Sequence, residues 1–152
     1  MEKMEIISIK NKSDFLKEYF TLCNLEWGEP VNENDMEEYL AMKEEKALNG
    51  DKFISILGLV ENNCLLGFIA LFKYEDGQDR NLTPWYASMY VKKEYRGRKL
   101  AAVLVRNLTI EILKHGKIPF YSASVTNIAS QAVAVRAGYM PLWTDTFGTR
   151  GI

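Results

Sequence analysis

Six segments of the chain carry the pattern of β-strands, in which apolar residues alternate with polar ones or follow each other without a break. The expected strands are Glu5 to Lys10, Phe53 to Val60, Cys64 to Tyr74, Trp85 to Val91, Ile118 to Val125 and Tyr139 to Trp143. The second and third are separated only by Glu61-Asn62-Asn63, a tight-turn sequence, so they are expected to pair as an antiparallel hairpin.

Four other segments repeat apolar residues every three or four positions, which is the period of an amphipathic helix. The clearest of them runs from Leu100 to about His115, with Leu104 and Leu108 following at intervals of four. Ser13 is the expected N-cap of the first helix, which Gly28 and Pro30 end, and Asn32 or Asn34 is the expected N-cap of the second, which Gly50 ends. The third helix is expected to start at Leu100 and end at Gly116, and Asn127 is expected to cap the fourth, which Gly138 ends.

The order of these elements, β-α-α-β-β-β-α-β-α-β, indicates an α+β or mixed α/β fold in which helices cover a central sheet. The hairpin half is expected to be antiparallel. The helix between the strands Trp85 to Val91 and Ile118 to Val125 is expected to make a right-handed parallel crossover. No repeat, low-complexity tract or linker interrupts the chain, so residues 1–152 are predicted to form a single domain.

Composition narrows the classes of function. Of the 152 residues, 47% are hydrophobic and 26% are charged, which is typical of a globular protein. Cys23 and Cys64 lie far apart and form no CxxC pair, which excludes a zinc ribbon and fits a reduced, cytoplasmic protein. His115 is the only histidine, so a histidine-based metal site or catalytic triad is not expected. No segment has the pattern of an export signal or a membrane span.

The net charge of −1 hides an uneven distribution along the chain. Residues 1–50 hold 6 lysines against 12 acidic residues, whereas residues 92–117 hold 8 basic residues against 2 glutamates. A basic segment in a near-neutral chain indicates a local anion site rather than a nucleic-acid surface. A solvated helix face accounts for the same charges equally well.

The basic segment opens with a loop between the fourth expected strand and the long helix. Backbone N–H groups at a helix N-terminus have no partner within the helix, and they carry the positive end of its dipole. Gly97 lets a ligand approach the backbone closely. Arg96, Arg98 and Lys99 add positive charge, so the loop is suited to hold a phosphate group. It is neither a P-loop nor a Rossmann fingerprint, and an exposed helix start is the alternative interpretation.

At this loop the sequence resembles the GNAT superfamily of acetyl-CoA-dependent N-acetyltransferases. The family motif, Arg/Gln-x-x-Gly-x-Gly/Ala after a strand of the form Val-x-x-x-Tyr, is matched by Val91 and by YRGRKLA at residues 95–101. A second family element, an Asn followed about eleven residues later by Gly-Phe/Tyr, is matched by Asn127, Gly138 and Tyr139. The resemblance implies a central mixed, mostly antiparallel sheet of about six to seven strands, flanked by about four helices.

The resemblance also implies which residues bind acetyl-CoA. The pyrophosphate would lie on the backbone N–H groups of residues 97–102, and the pantetheine arm would run beside the strand like an added β-strand. A backbone N–H near Tyr90 or Val91 would polarise the thioester carbonyl. The implied cofactor-binding residues are Met89, Tyr90, Val91, Arg96, Gly97, Arg98, Lys99, Leu100, Ala101, Ala102 and Asn127. Asn127 is equally well suited to cap its helix, and no metal is implied.

By this resemblance the protein is an N-acetyltransferase that moves an acetyl group from acetyl-CoA to a primary amine by direct attack in a ternary complex. Two positions depart from the family pattern. Lys99 replaces the middle glycine of the motif, and Ala134 stands where a tyrosine commonly protonates the leaving thiolate. No side chain is therefore assigned a catalytic role. These departures leave a second function open, a GNAT-fold module that senses acyl-CoA without turnover, and a weaker third, a protein-interaction domain.

The amine acceptor would enter between the first helices and the strand Trp85 to Val91. Alternation predicts that Tyr86 and Tyr90 share one face of this strand and that Trp85 and Met89 share the approximate opposite face. Acidic residues in the flanking segments would suit a cationic acceptor, although most of them are expected to be solubility charges. They are Glu26, Glu29, Glu75, Asp76 and Asp79. Nucleic acid and membranes are not expected partners. Nine residues follow Trp143, so a last strand is expected to be short or to come from the partner in a homodimer.

Overall fold

An antiparallel sheet of four strands lies at the centre of the fold. The computed structural model describes residues 3–77, 79, 81 and 83–144. The strands are β1 (Glu5–Ser8), β2 (Phe53–Glu61), β3 (Cys64–Phe72) and β4 (Trp85–Val91), and they lie side by side in chain order. β2 and β3 form the expected hairpin. Asn62 and Asn63, with φ of 51° and 59°, supply the left-handed conformation that a two-residue hairpin turn needs.

Four helices flank this sheet: α1 (Ser13–Trp27), α2 (Met36–Asn49), α3 (Leu100–Lys114) and α4 (Ile128–Ala137). Asn127 caps α4 as predicted, because its side-chain oxygen accepts a hydrogen bond from the Ser130 N–H at 3.0 Å. The mixed α+β class and the number of helices therefore agree with the sequence.

The predicted cap of the first helix is wrong. Ser13 already lies inside α1, and its hydroxyl donates a hydrogen bond to the Glu44 carboxylate of α2 at 2.9 Å. Asn32 precedes a single 3-10 turn, Glu33–Asp35, and makes no side-chain cap. Its amide instead donates to the Asp35 carboxylate at 3.4 Å. Neither side-chain oxygen accepts a hydrogen bond from a backbone N–H, so neither residue acts as an N-cap.

Both faces of the sheet are buried, and β3 runs through the middle of the core. All residues of β3 after Cys64 are buried. Because side chains alternate along a strand, Phe68 packs with Tyr19 on the face of α1 and α2, whereas Ile69 packs with Leu104 on the face of α3. The sheet therefore separates two apolar clusters, and β4 lies at its edge next to α3.

Among the described residues the sheet has four strands, and not the six to seven that the family resemblance implied. The expected strands Ile118 to Val125 and Tyr139 to Trp143 are not formed. The parallel crossover between β4 and residues 118–125 is consequently not formed either, and every strand pairing among the described residues is antiparallel.

Proline residues and exposed apolar side chains explain why these two segments do not join the sheet. Pro119 and Pro141 each remove a donor that a strand ladder would use. Ile118 and Phe120 are 93% and 59% exposed, so these two apolar side chains do not face the core. The ring of Phe120 instead stacks on Trp143 at 5.3 Å between centroids, which joins the two segments to each other near the surface.

The short last strand expected after Trp143 falls almost wholly outside the described residues, which end at Thr144. Within the described ranges, no helix is both long enough and apolar enough to cross a membrane.

Candidate active site

The loop between β4 and α3 presents a row of backbone donors. β4 ends at Val91, a 3-10 turn follows at Lys93–Tyr95, and two residues then adopt left-handed conformations, Gly97 with φ of 84° and Lys99 with φ of 62°. The first hydrogen bond of α3 joins the Val103 N–H to the Lys99 carbonyl at 3.4 Å. In the described part of the chain, no carbonyl accepts the backbone N–H groups of residues 97–102. They are therefore available to an anion at the positive end of the helix dipole.

The three basic side chains of this loop differ in their surroundings. Arg96 braces the loop, since its Nε donates to the Val91 carbonyl at 2.9 Å and its guanidinium lies 5.5 Å from the centre of the Tyr90 ring. Arg98 turns toward Glu61, with 3.7 Å between nitrogen and oxygen. Lys99 is exposed and makes no ion pair among the described residues. Lys99 is thus the basic side chain of the loop best able to move toward a ligand.

β4 contains a bulge that the sequence did not predict. Phe68 pairs with Tyr90, but Ala70 pairs with Ala87, so Ser88 and Met89 stand opposite a single residue of β3. Ser88 takes the left-handed conformation, with φ of 53°. Such a bulge interrupts the ladder and bends the strand at its middle.

The bulge reverses the predicted faces of β4. An extra residue shifts the two-residue period, so side chains on either side of it change face relative to simple alternation. Tyr90 packs with the α1 and α2 cluster, whereas Tyr86 and Met89 pack with the α3 cluster. The prediction that Tyr86 and Tyr90 share a face is therefore wrong.

A cavity of about 830 Å³ opens between α1, α2 and the sheet, and Ser88 forms part of its wall. Burial raises the pKa of the Tyr19 hydroxyl, and it raises the pKa of the Cys23 thiol to about 11. Side-chain hydrogen bonds with Ser88 act against both increases. Tyr19 and Cys23 are thus neutral near pH 7, and both side chains lie next to the bulge.

On the opposite face of β4, three tyrosines lie together. The ring of Tyr121 lies 5.1 Å from that of Tyr86 and 5.4 Å from that of Tyr139. The Tyr121 and Ser130 hydroxyl oxygens are 2.8 Å apart, and burial raises the pKa of Tyr86. Ala134 of α4 is only 8% exposed and carries no polar group. Tyr121 belongs to no recognisable sequence motif, so the sequence did not predict this hydroxyl cluster.

The match to known families decides what kind of protein this is. Residues 16–139 match the acetyltransferase (GNAT) family. The chain belongs to the GNAT acetyltransferase family. Among curated proteins, no sequence matches this GNAT chain.

Solved structures with the fold of this GNAT protein include aminoglycoside N-acetyltransferases. AAC(6')-Iy, in complex with the bisubstrate analogue CoA-S-monomethyl-acetylneamine, has a TM-score of 0.68 and 18% identity, and the match covers 99% of each chain. AAC(6')-Ih from Acinetobacter baumannii has a TM-score of 0.64 and 18% identity, again over 99% of each chain. Identities this low establish a shared fold and no more.

Most residues predicted to bind the cofactor of this GNAT protein are brought together. Met89, Tyr90 and Val91 end β4, and residues 96–102 form the loop and the first turn of α3. Leu100 and Ala102 are buried, so only their backbone faces a ligand at the helix start. Asn127 lies at the start of α4, where capping already occupies its side-chain oxygen. Among the described residues, no group of three or more metal-ligating side chains occurs.

Proposed function

We propose that this GNAT protein transfers an acetyl group from acetyl-CoA to a primary amine by direct attack in a ternary complex. The observation that carries the proposal is the row of unpaired N–H groups at residues 97–102, next to the bulged end of β4. In this proposal the N–H groups hold the pyrophosphate, and Met89, Tyr90 and Val91 hold the pantetheine arm at the edge of the sheet.

The edge position of β4 supports this arrangement. No further strand pairs with β4 in the described part of the chain, so its outer backbone groups can bind an extended ligand. A backbone N–H near Tyr90 or Val91 would then polarise the thioester carbonyl, because a fixed donor stabilises the oxyanion that forms during attack.

The acceptor is proposed to enter from the cavity on the face of β4 that is covered by α1 and α2. Ser88 belongs to both the bulge and the cavity wall, so an amine in the cavity can approach the strand where the thioester would lie. Tyr19 and Cys23 are already protonated near pH 7, so they can relay a proton but cannot act as the final base. The amine is therefore expected to lose its proton to solvent water.

The second candidate function is an acyl-CoA sensor that binds the cofactor without turnover. Ala134 favours it, because a buried methyl group stands where the family commonly places a hydroxyl. The proton for the leaving thiolate would then have to come from water or from the hydroxyl cluster around Tyr121.

Release of free CoA thiol from acetyl-CoA, measured against a panel of primary amines, distinguishes the two functions. The proposal expects thiol release that depends on both protein and amine, together with a rise in the melting temperature on addition of acetyl-CoA. A thermal shift without thiol release for any amine would support the sensor. The absence of both would leave the protein-interaction domain.

Replacing Lys99 with glycine is expected to raise the free energy of unfolding by about 0.5–1 kcal/mol, because left-handed strain of about 1–2 kcal/mol is removed and chain entropy offsets part of it. CoA is expected to bind modestly more tightly, because the Cβ at position 99 should crowd the pyrophosphate by more than the lysine charge attracts it. This advantage should grow with salt, because salt screens the charge of Lys99 and leaves the steric effect. Urea unfolding and calorimetry at two salt concentrations measure both effects.

Asn63→Gly is the matched control for this strain, because Asn63 has nearly the same φ and lies in the β2–β3 turn. Asn63→Gly should change the free energy of unfolding and leave CoA binding unchanged. Weaker CoA binding by Lys99→Gly at both salt concentrations would mean that the lysine is a working phosphate ligand.

A further inference from the structure

Charged side chains are distributed unevenly in the cavity between α1, α2 and the sheet. Five charged residues line it, and these are Lys43, Glu45, Lys46, Asp51 and Lys52. Two of them are neutralised by neighbours outside the cavity wall. Lys52 bonds to Asp76 at 2.7 Å and lies 3.7 Å from Glu75, and Asp51 lies 3.4 Å from the Lys73 nitrogen.

Two lysines remain on one side of the cavity. Lys43 and Lys46 are three residues apart on α2, so they lie on the same face of that helix. No carboxylate within the described ranges forms an ion pair with either of them. Glu45 is the one lining carboxylate left without such a pair among those residues, and it is exposed. The uncompensated charge on this wall is therefore positive.

Lys43 is the lysine whose charge acts on Cys23, another residue of the cavity wall. It is half-buried, and its ammonium lies 5.4 Å from the centre of the Tyr39 ring. Its charge lowers the pKa of the Cys23 thiol, which also hydrogen-bonds with Ser88. A cation thus stands beside the part of the cavity that meets the bulge of β4.

The rest of the wall is largely aromatic. Trp27, Tyr39 and Phe72 line the cavity from three different elements. Flat apolar walls with a few placed charges are typical of sites for small organic ligands, and the volume of about 830 Å³ lies within the usual range.

We propose that the acceptor is a small amine that also carries a carboxylate and an apolar or aromatic body, with its carboxylate bound by Lys43 and Lys46. This inference rests on the proposed acetyltransferase function and names its substrate class. A carboxylate bound to lysine forms a charge-assisted hydrogen bond, and the amine is then left to face Ser88.

The same charges disfavour a polycation. An acceptor with several ammonium groups would meet Lys43 and Lys46 with only Glu45 as an unpaired lining carboxylate among the described residues, since Glu75 and Asp76 are already engaged by Lys52. An acceptor that carries a carboxylate is therefore proposed in place of the purely cationic acceptor that the acidic residues of the sequence suggested.

Phenylalanine and phenethylamine test the inference as a matched pair, because they share the ring and the primary amine and differ in the carboxylate. Calorimetric titration of the CoA-bound protein should give a dissociation constant about tenfold lower for phenylalanine. Lys43→Met keeps the apolar stem of the side chain and removes its charge, so it should bring the two constants to within about twofold. Lys46→Met should reduce the difference in part.

Lys17→Met is the control, because Lys17 is an exposed residue of α1 that does not line the cavity. It should leave the preference unchanged. Equal or tighter binding of phenethylamine, or of an aminoglycoside, would overturn the inference, as would binding of none of them. Thiol release with either amine would still support the acetyltransferase. Binding of phenylalanine that depends on Lys43 but yields no thiol with any amine would keep the binding site and contradict the acetyltransferase.

Discussion

Replacing Phe68 with alanine is expected to lower the free energy of unfolding by about 3–5 kcal/mol, the range for deleting a fully buried phenylalanine. The Phe68 side chain in β3 has no solvent exposure. Its ring stacks on Tyr90 with 5.5 Å between centroids and meets Tyr19 edge-on at 4.6 Å. The substitution leaves a void between the cavity wall and the end of β4, and urea unfolding measures the cost.

Phe120→Ala is the matched control for Phe68→Ala. Phe120 is 59% exposed and contacts Trp143 near the surface, so its loss is expected to cost less than about 1 kcal/mol. Similar costs for both variants would mean that β3 is not the centre of the core.

Replacing Ala134 with tyrosine is expected to raise turnover by up to about 10²-fold, the lower end of what a general acid contributes. It would restore the hydroxyl that the family commonly places here to protonate the leaving thiolate. Because Ala134 is buried against its neighbours, the larger ring should also lower stability by about 1–3 kcal/mol. Thiol-release kinetics and thermal unfolding of the same preparation measure the two effects.

The neighbouring Val135→Tyr variant is the control, because Val135 is 58% exposed and should change neither turnover nor stability strongly. A folded Ala134→Tyr protein with unchanged turnover and a flat pH profile would show that protonation of the thiolate is not limiting. Tyr121→Phe then tests whether the existing hydroxyl cluster already supplies the proton, since only the hydroxyl bonded to Ser130 is lost.

The elements that local pattern determines could be predicted from the sequence. β4 spans Trp85–Val91 as predicted, and α3 begins at Leu100 as its four-residue repeat indicates. The turn at Asn62 and Asn63 and the Asn127 cap follow from the preferences of asparagine for left-handed and capping positions. The loop motif that ends at Ala101 led to the family, which the match over residues 16–139 confirms.

Features that depend on a neighbouring strand or on a side chain's partner could not be predicted. The bulge at Ser88 depends on pairing with β3. Serine and lysine rarely adopt the left-handed conformation, so the positive φ of Ser88 and Lys99 could not be predicted from residue type. The apolar residues of 118–125 resemble a strand, yet the segment pairs with no strand, and Ile118, Phe120 and Val125 are exposed. The positive wall of the cavity depends on which charges pair in the fold: Asp76 pairs with Lys52, whereas Lys43 has no ion pair among the described residues.

The central claim is that acetyl-CoA binds at the start of α3, and calorimetric titration of the wild type, Gly97→Val and Gly116→Val with CoA tests it most directly. Both glycines have positive φ, 84° and 69°, and neither has a heavy atom within 4 Å of an added Cβ. Valine therefore strains the backbone alike at both ends of α3, but at Gly97 it also covers the row of N–H groups. The account predicts one-to-one binding to the wild type and to Gly116→Val, and at least about tenfold weaker binding to a folded Gly97→Val protein. No heat of binding with the wild type, or equal affinities for all three proteins, would contradict it.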